Sequence, residues 1–324
     1  MMKVLLFGGA GYIGSHVALA FRDRGHETGV FDNLSSGLRE NVPQDCTFYE
    51  GDINDRAAVA AALADGWEGI VHLAAFKAAG ESMEVPEKYA INNICGSLTL
   101  ITEAVRSGAA GFLLSSSAAV YGEPEYLPVD EDHPTVPTNY YGFTKLEIER
   151  NLAWFQQLRG LPYASLRYFN AAGYDPEGRV TGLERNPANL IPLVMETALG
   201  RRRELLIFGD DYPTRDGTGI RDYIHVTDLA DAHVSALEYA VRENRSLTVN
   251  LGSEQGLSVR EILETARKVT GREIPARVTG RRAGDPARLV ASAQRAEEIL
   301  GWKARRSSAR EILETSWKAY RGQE

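Results

Sequence analysis

The chain has 324 residues, 44% of them hydrophobic, and a formal net charge of -8. That length accommodates about two domains of roughly 150 residues each, the apolar content supports a true core, and the acidic balance excludes a broad nucleic-acid surface. Two cysteines, Cys46 and Cys95, neither frame a disulfide scaffold nor show metal-ligand spacing, which fits a reducing cytoplasm; no apolar run, including the one before the first glycines, is long enough for a secretion signal or a membrane span.

Short apolar runs alternate with helical patterns at Val4 to Phe7, Gly29 to Phe31, Cys46 to Tyr49, Ile70 to Leu73, Phe112 to Leu114 and Tyr163 to Leu166. The alternation predicts an α/β fold of the Rossmann type, a doubly wound parallel sheet with helices on both faces. A long helix is expected from near Pro86, suited to a first helical position, to the stop signal Gly108. Another should start near Thr138 or Asn139, just after Pro137. Beyond about residue 170 the chain turns to Gly, Pro, Asp and Asn clusters, the texture of loops built around a site. Arg201 to Arg203 follow a helical pattern and read as a solvated helix end. "SLTVNLG" at 246 to 252 is strand-like and could return to the sheet. The expected division is 1–170 as a dinucleotide-binding domain, joined by 226–255, with 171–225 and 256–324 forming a smaller substrate domain. "REILET" occurs at 260 to 265 and 310 to 315, each copy two residues after a serine, so Ser258 with Glu261 and Ser308 with Glu311 both fit a capping box.

"FGGAGYIGSH" sets Gly8, Gly11 and Gly14 between a strand and a helix. Glycine there lets the backbone turn tightly against a pyrophosphate, whose charge is met by the first helical amides. A second strand ends in Asp32, 18 residues beyond Gly14, close to the spacing of the acid that binds the adenosine ribose hydroxyls. A carboxylate there repels a 2'-phosphate, so NAD is expected over NADP; the bland alternative is a turn residue opening "DNLSSG". Asp52 also follows a strand, where ligands collect in such sheets, and a helix N-cap role for Asp52 or Asn54 is an equally ordinary reading.

"TNYYGFTKLE" carries Tyr141 and Lys145 four residues apart, on one helical face, with Tyr140 rotated away. A phenol with an ordinary pKa near 10 needs a neighbouring ammonium and the positive nicotinamide ring to act as a base at neutral pH. Alone the pair could be a surface contact. At "LLSSSAAVYGE" a strand runs out into three serines, and Ser117 would stand at its carboxyl end, able to hydrogen-bond a reacting oxygen.

These motifs, with "FDNLSSG", "HLAAFKAAGES", "INN", "LRYFNAAG", "IFGDDYPTRDGTGIRDYIHVTDLADAH" and "RRAGDPA", resemble UDP-glucose 4-epimerases of the extended short-chain dehydrogenase/reductase type along essentially the whole chain. The resemblance implies NAD contacts at the glycine loop with Tyr12 and Ile13, at Asp32, Asn33, Leu34, Ser35, Ser36 and Gly37, and at Asp52 and Ile53. Further contacts would fall at Leu73, Ala74, Ala75, Phe76, Lys77, Asn92, Ser117, Tyr141, Lys145 and Phe169. It implies UDP-sugar contacts at Lys77, Ser117, Tyr141, Asn170, Asn189, Leu190, Ile207, Phe208, Arg221, Arg282 and Asp285; two of these, Arg221 and Arg282, are independently suited to clamp a diphosphate.

The implied chemistry is proton removal from the sugar 4-hydroxyl by Tyr141, aided by Ser117 and Lys145, with hydride passing from C4 to NAD. The 4-keto sugar then turns over and is reduced on its other face. A nucleotide-sugar 4,6-dehydratase would also need an acid and a base after the serine, where this chain has Ala118 and Ala119. A non-enzymatic dinucleotide sensor on the same fold is a further alternative. Leu289 stands where the family sets tolerance for N-acetyl groups, so other UDP-sugars stay open. The six histidines lack metal-site spacing, and His225 reads as structural. The family habitually forms homodimers, here through helices near 86 to 107 and 139 to 159.

Overall fold

The structure is a computed structural model that describes residues 1–185, 187–282 and 285–323. In chain order the first lobe contains β1 (Lys3–Phe7), α1 (Tyr12–Asp23), β2 (Glu27–Asp32), β3 (Thr47–Glu50), α2 (Arg56–Leu63) and β4 (Gly69–His72). It continues with α3 (Ala79–Glu84), α4 (Pro86–Tyr89), a π-helical turn Ala90–Cys95, α5 (Gly96–Ser107), β5 (Gly111–Ser115), α6 (Tyr140–Arg159) and β6 (Tyr163–Tyr168). The remainder comprises β7 (Asn170–Ala172), α7 (Leu190–Ala198), β8 (Leu205–Phe208), β9 (Ile220–Arg221), β10 (Tyr223–His225), α8 (Val226–Glu243) and β11 (Leu247–Leu251). Last come β12 (Leu257–Ser258), α9 (Val259–Thr270), β13 (Ala276–Thr279), β14 (Arg288–Leu289), α10 (Gln294–Leu300) and α11 (Ala309–Arg321).

Seven strands form one parallel sheet in the order β11-β6-β5-β4-β1-β2-β3. Successive side chains of β1 enter opposite layers. Val4 and Leu6 pack with Val17 and Phe21 of α1 and Leu229 and Leu237 of α8, while Leu5 and Phe7 pack with Val59 of α2, Leu100 of α5 and Ile148 of α6. Each such fully buried large side chain contributes roughly 1.5–3 kcal/mol. Because β1 leads outward to β2 and β3 and the chain then comes back through β4, a crevice opens beyond the carboxyl ends of β1 and β4. "SLTVNLG" supplies β11, paired in parallel with β6. A second apolar cluster joins α7, α9, α11 and β8 through Val194, Ile262, Ile312 and Ile207. Among the described residues no helix is long and apolar enough to cross a membrane.

Local signals act where expected. Asn139 caps α6, its Oδ1 accepting from the Gly142 amide at 2.9 Å, and Gly108 closes α5 with φ +75°. Arg201 to Arg203 do follow α7, with Arg202 paired to Glu196. The stretch expected as one helix from Pro86 to Gly108 is instead widened by the π turn at its centre, where Asn93 is drawn into cross-element bonds described below.

The two "REILET" copies also differ. At α9 both halves of the capping box form: Ser258 Oγ accepts from the Glu261 amide at 3.1 Å, and Glu261 accepts from the Ser258 amide at 2.8 Å. At α11 Ser308 accepts from the Glu311 amide at 3.2 Å, but the Glu311 carboxylate goes to Arg306 at 3.1 Å. Ser258 additionally donates to Asp216. Ser258→Ala should therefore cost about 2 kcal/mol and Ser308→Ala about 0.5–1 kcal/mol; chemical-denaturation midpoints check this, with the larger drop expected for Ser258→Ala.

Candidate active site

The glycine turn is shaped by contacts that admit no side chain. Gly8 has φ +87°, and a Cβ there would stand 2.6 Å from the Ala74 backbone nitrogen at the end of β4. At Gly14 a Cβ would stand 2.2 Å from the Gly8 carbonyl oxygen, so α1 can rest on the turn only with glycine at that place. Gly11 is the N-cap of α1 and offers no side-chain acceptor, which leaves the first amides of the helix available to an anion.

Asp32, at the end of β2, accepts from the Ala10 amide at 2.9 Å and the Leu34 amide at 2.8 Å, tying the glycine turn to the next loop. Burial raises its carboxyl above the ordinary value, against the pull of those two amides. Gly37 packs on it, where a Cβ would be 2.9 Å from Oδ1. Ser35 and Ser36 are exposed on that loop. Asn33 donates to Asp52 at 2.8 Å. Burial pushes Asp52 up, and bonds from Asn54 and Asn33 more than offset it, holding the carboxyl below its usual range. Asp55, not Asp52 or Asn54, caps α2. Ile53 is buried in the core under the site.

On the other wall the amides of Leu73 and Ala74 both donate to the Phe7 carbonyl, and the chain runs through Ala75 to Phe76. Asn93 holds Phe76 by both backbone groups, accepting from its amide and donating to its carbonyl at 2.9 Å each, and also donates to Thr144 of α6 at 3.1 Å. Asn92 lies beside it, donating to the Asn93 Oδ1 at 3.0 Å. Lys77 pairs with Glu184. Tyr12 donates to the Gly173 carbonyl at 2.5 Å, and Ile13 is half-buried behind it. Tyr12, Asn189, Glu184 and Tyr320 line one small pocket.

At the end of β5, Ser117 starts a short 3-10 turn over Ala118–Val120, its Oγ accepting from the Ala119 amide at 3.2 Å. Helix α6 approaches this turn so closely that a Cβ on Gly142 would stand 2.3 Å from the Ala119 carbonyl oxygen. The Tyr141 phenol is thereby brought beside Ser117, whose side chain acts to lower its pKa. Lys145 is 2% exposed, its Nζ donating to the Ser115 carbonyl at 2.7 Å and lying 5.9 Å from the centre of the Tyr141 ring. Tyr140 turns aside and stacks on Phe143.

The electrostatics differ from the sequence expectation in one respect. Burial pushes the Tyr141 phenol above its ordinary value, and only Ser117 acts to lower it. Burial also pulls Lys145 down to about 8, with Glu149 acting in the opposite sense. The ammonium is engaged with a carbonyl rather than with the phenol, so in the protein alone Lys145 does not make Tyr141 acidic.

Phe169 is buried against Ala118, Tyr121 and Leu289. Asn170 donates to the Asp222 carbonyl through its amide at 3.1 Å and its side chain at 2.9 Å. Arg221 pairs with Asp285, and the Arg282 guanidinium lies 4.5 Å above the Phe208 ring. Asn189 is the N-cap of α7 with no side-chain cap bond, Leu190 opens that helix, and Ile207 is buried in β8. Leu289 lies opposite Arg221 in the β14–β9 register. Ala283 and Gly284, from "RRAGDPA", fall outside the described residues. His225 is buried, bonded to Thr227 at 2.8 Å and Thr315 at 3.0 Å, away from these groups.

Residues 4–252 match the NAD dependent epimerase/dehydratase family. The chain belongs to that family. It is 45% identical over 318 residues to a UDP-glucose 4-epimerase of Halalkalibacterium halodurans, covering 98% of this chain and 95% of that protein. To a UDP-glucose 4-epimerase of Lacticaseibacillus casei it is 46% identical over 318 residues, covering 98% and 96%. Among solved structures it is similar to a UDP-glucose 4-epimerase of Stenotrophomonas maltophila with bound NAD and formylated UDP-arabinopyranose, with a TM-score of 0.96, 39% identity and coverage of 100% of this chain and 99% of that one.

Three residues of this epimerase/dehydratase chain that shape the site escaped the sequence reading. Asn93 ties the β4 loop to α6, and Gly142 admits the approach of α6. Fully buried Asp222 accepts from the Ser253 amide and hydroxyl at 2.7 Å, the Glu254 amide at 3.0 Å and the Ala291 amide at 3.2 Å, fixing the backbone beside Arg221. For Gly142 a signal existed, since glycine inside a strong helical pattern asks for a packing reason. Gly142→Ala should lower kcat on the order of a hundredfold by shifting Tyr141 from Ser117, with bound NAD, read from absorbance of the released dinucleotide, unchanged.

Proposed function

We propose that this protein interconverts UDP-glucose and UDP-galactose at C4, as an NAD-dependent isomerase of the UDP-glucose 4-epimerase class. The observation that carries the reading is the convergence of Tyr141, Ser117 and Lys145 at the end of β5, on the same sheet whose glycine turn and Asp32 present the features a dinucleotide needs. When bound, NAD supplies a hydride acceptor and donor at the sugar C4 and is left unchanged after each cycle. Within the chain, Tyr141 takes the proton of the 4-hydroxyl and later gives it back, and Ser117 steadies the same oxygen. Lys145 contributes positive charge beside the phenolate. Arg221 and Arg282 hold the diphosphate, while Asn189, Leu190, Ile207 and Phe208 face the uridine. Asn170 and Lys77 meet the sugar, and Asp285 keeps Arg221 aligned. The anchored UDP leaves the 4-keto ring free to present either face.

Ala118 and Ala119 leave the site without the acid and base that elimination across C5 and C6 requires, which favours epimerisation over dehydration. Leu289, packed near Phe169 and opposite Arg221, borders the sugar in this reading; pentose or N-acetylhexosamine derivatives of UDP are the second reading, the former favoured by the UDP-arabinopyranose derivative bound to the Stenotrophomonas protein. The proposed domain division keeps 1–170 with 226–255 for NAD, and 171–225 with 256–324 for the UDP-sugar. A homodimer through the two helices near 86 to 107 and 139 to 159 agrees with the apolar side chains they expose, Ile91 at 57%, Trp154 at 60% and Leu158 at 64%. The cytoplasm is the proposed location.

Product analysis by NMR, with UDP-glucose, UDP-N-acetylglucosamine and UDP-xylose offered separately, tests the whole. UDP-galactose should form fastest from UDP-glucose, and Tyr141→Phe should lose at least about a thousandfold in rate while retaining NAD. A 4-keto-6-deoxy product, or undiminished turnover by Tyr141→Phe, would overturn the reading.

A further inference from the structure

The serine run at the end of β5 is met by one face of α6. Tyr141, Lys145 and Glu149 follow at intervals of four residues, and each faces one serine of the run. Tyr141 lies beside Ser117, Lys145 donates to the carbonyl of Ser115 at 2.7 Å, and Glu149 accepts from the hydroxyl of Ser116 at 2.5 Å. The third contact lies in the interior: the side chains of Glu149 and its partner Arg167 are 7% and 10% exposed. Arg167, on β6, forks onto Glu149 with Nη2 at 2.6 Å and Nε at 3.0 Å, and its Nη1 donates to the Tyr121 hydroxyl at 3.0 Å. Tyr121 in turn donates to Asn250 of β11 at 2.6 Å.

A buried ion pair of this kind seldom adds stability over apolar residues of equal volume, because desolvating two charges offsets their attraction. Its location gives it another use. We propose that Glu149 is a positioning residue for the reaction: it clamps Ser116, so that Ser117 meets Tyr141, and it is the negative charge that keeps Lys145 an ammonium. The inference rests on the assignment of Tyr141 and Lys145 made above.

The surroundings of Lys145 leave that role to Glu149. From β4 it is faced by His72, which burial and then Lys145 itself lower to about 3, so this ring is neutral at working pH. From β5 it meets only the Ser115 carbonyl. On β6, Tyr168 lies near Tyr141, and Tyr163 lies near the ion pair; burial raises both phenols, which keeps them uncharged. Tyr89 of α4, close to Tyr141, is raised by burial and by Glu81. Arg167 is the other charge at hand, and it is taken up by Glu149 and Tyr121. Burial alone draws Lys145 toward neutrality, and Glu149 opposes this.

The sign follows. Glu149→Gln keeps an acceptor for Ser116 and removes the charge, so Lys145 deprotonates at lower pH. The alkaline limb of kcat should move down by about one pH unit, with kcat near pH 8 falling about fivefold, approaching tenfold at higher pH, and KM for UDP-glucose holding. Glu149→Gln/Arg167→Met removes both charges and leaves no guanidinium stranded; its alkaline limb should stay displaced. Ser116→Ala should lower kcat without moving the limb. The experiment records kcat and KM against pH for these holoenzymes and for Lys145→Met, with NAD content measured on each. A wild-type pH profile in the double variant would overturn the proposal, since the effect of Glu149→Gln would then belong to the stranded arginine. If Lys145→Met retained wild-type turnover, the assignment of Lys145 itself would fail. Loss of turnover in Lys145→Met together with an unmoved profile in Glu149→Gln would reject the role of Glu149 alone.

Discussion

The close approach of α6 to the carboxyl end of β5 is the constraint on which the site depends. It requires Gly142, because any side chain there would meet the Ala119 carbonyl. Once it is made, helical periodicity carries Tyr141 to Ser117 and Lys145 to Ser115 without further specification. The same approach is braced from the opposite side by Asn93, whose bonds to Phe76 and Thr144 join the β4 loop to α6. The turn that carries Ser117 and the loop after β4 are therefore both tied to α6.

Burial at this contact sets a conflict that the chemistry has to resolve. A dry site strengthens every charge interaction, and the same dryness disfavours both charges that the proposed reaction needs. It raises the Tyr141 phenol and brings Lys145 down to about 8. Ser117 and Glu149 act against these two effects, each one serine or one helical turn away. Lys145 holds the Ser115 carbonyl rather than the phenol, with its Nζ 5.9 Å from the centre of the Tyr141 ring.

What could be read from the sequence was local in origin. The strands, the N-cap Asn139, the stop at Gly108 and the spacing of Gly8, Gly11, Gly14 and Asp32 each follow from a few neighbouring residues and their backbone preferences. Tyr141 with Lys145 was legible for the same reason, and Glu149 lies one further step along that spacing. The features that escaped act between distant segments. Asn93 draws its partners from residues 76 and 144, Asp222 from 253, 254 and 291, and no short pattern announces either. The π turn carries Asn93 into those cross-element bonds, whereas the sequence around Pro86 to Gly108 reads as an ordinary helix. The second "REILET" likewise shares its letters with the first but not its surroundings, since Arg306 takes the Glu311 carboxylate.

The central claim is that Tyr141 becomes a phenolate-forming group only in the assembled site, where positive charge outweighs burial. The most direct measurement is the tyrosinate ultraviolet absorbance of the holoenzyme against pH, taken as the difference between the wild-type protein and Tyr141→Phe with NAD content matched. The account predicts one phenol titrating well below the ordinary tyrosine value of about 10, toward neutrality. A difference spectrum that develops only at or above that value would contradict it.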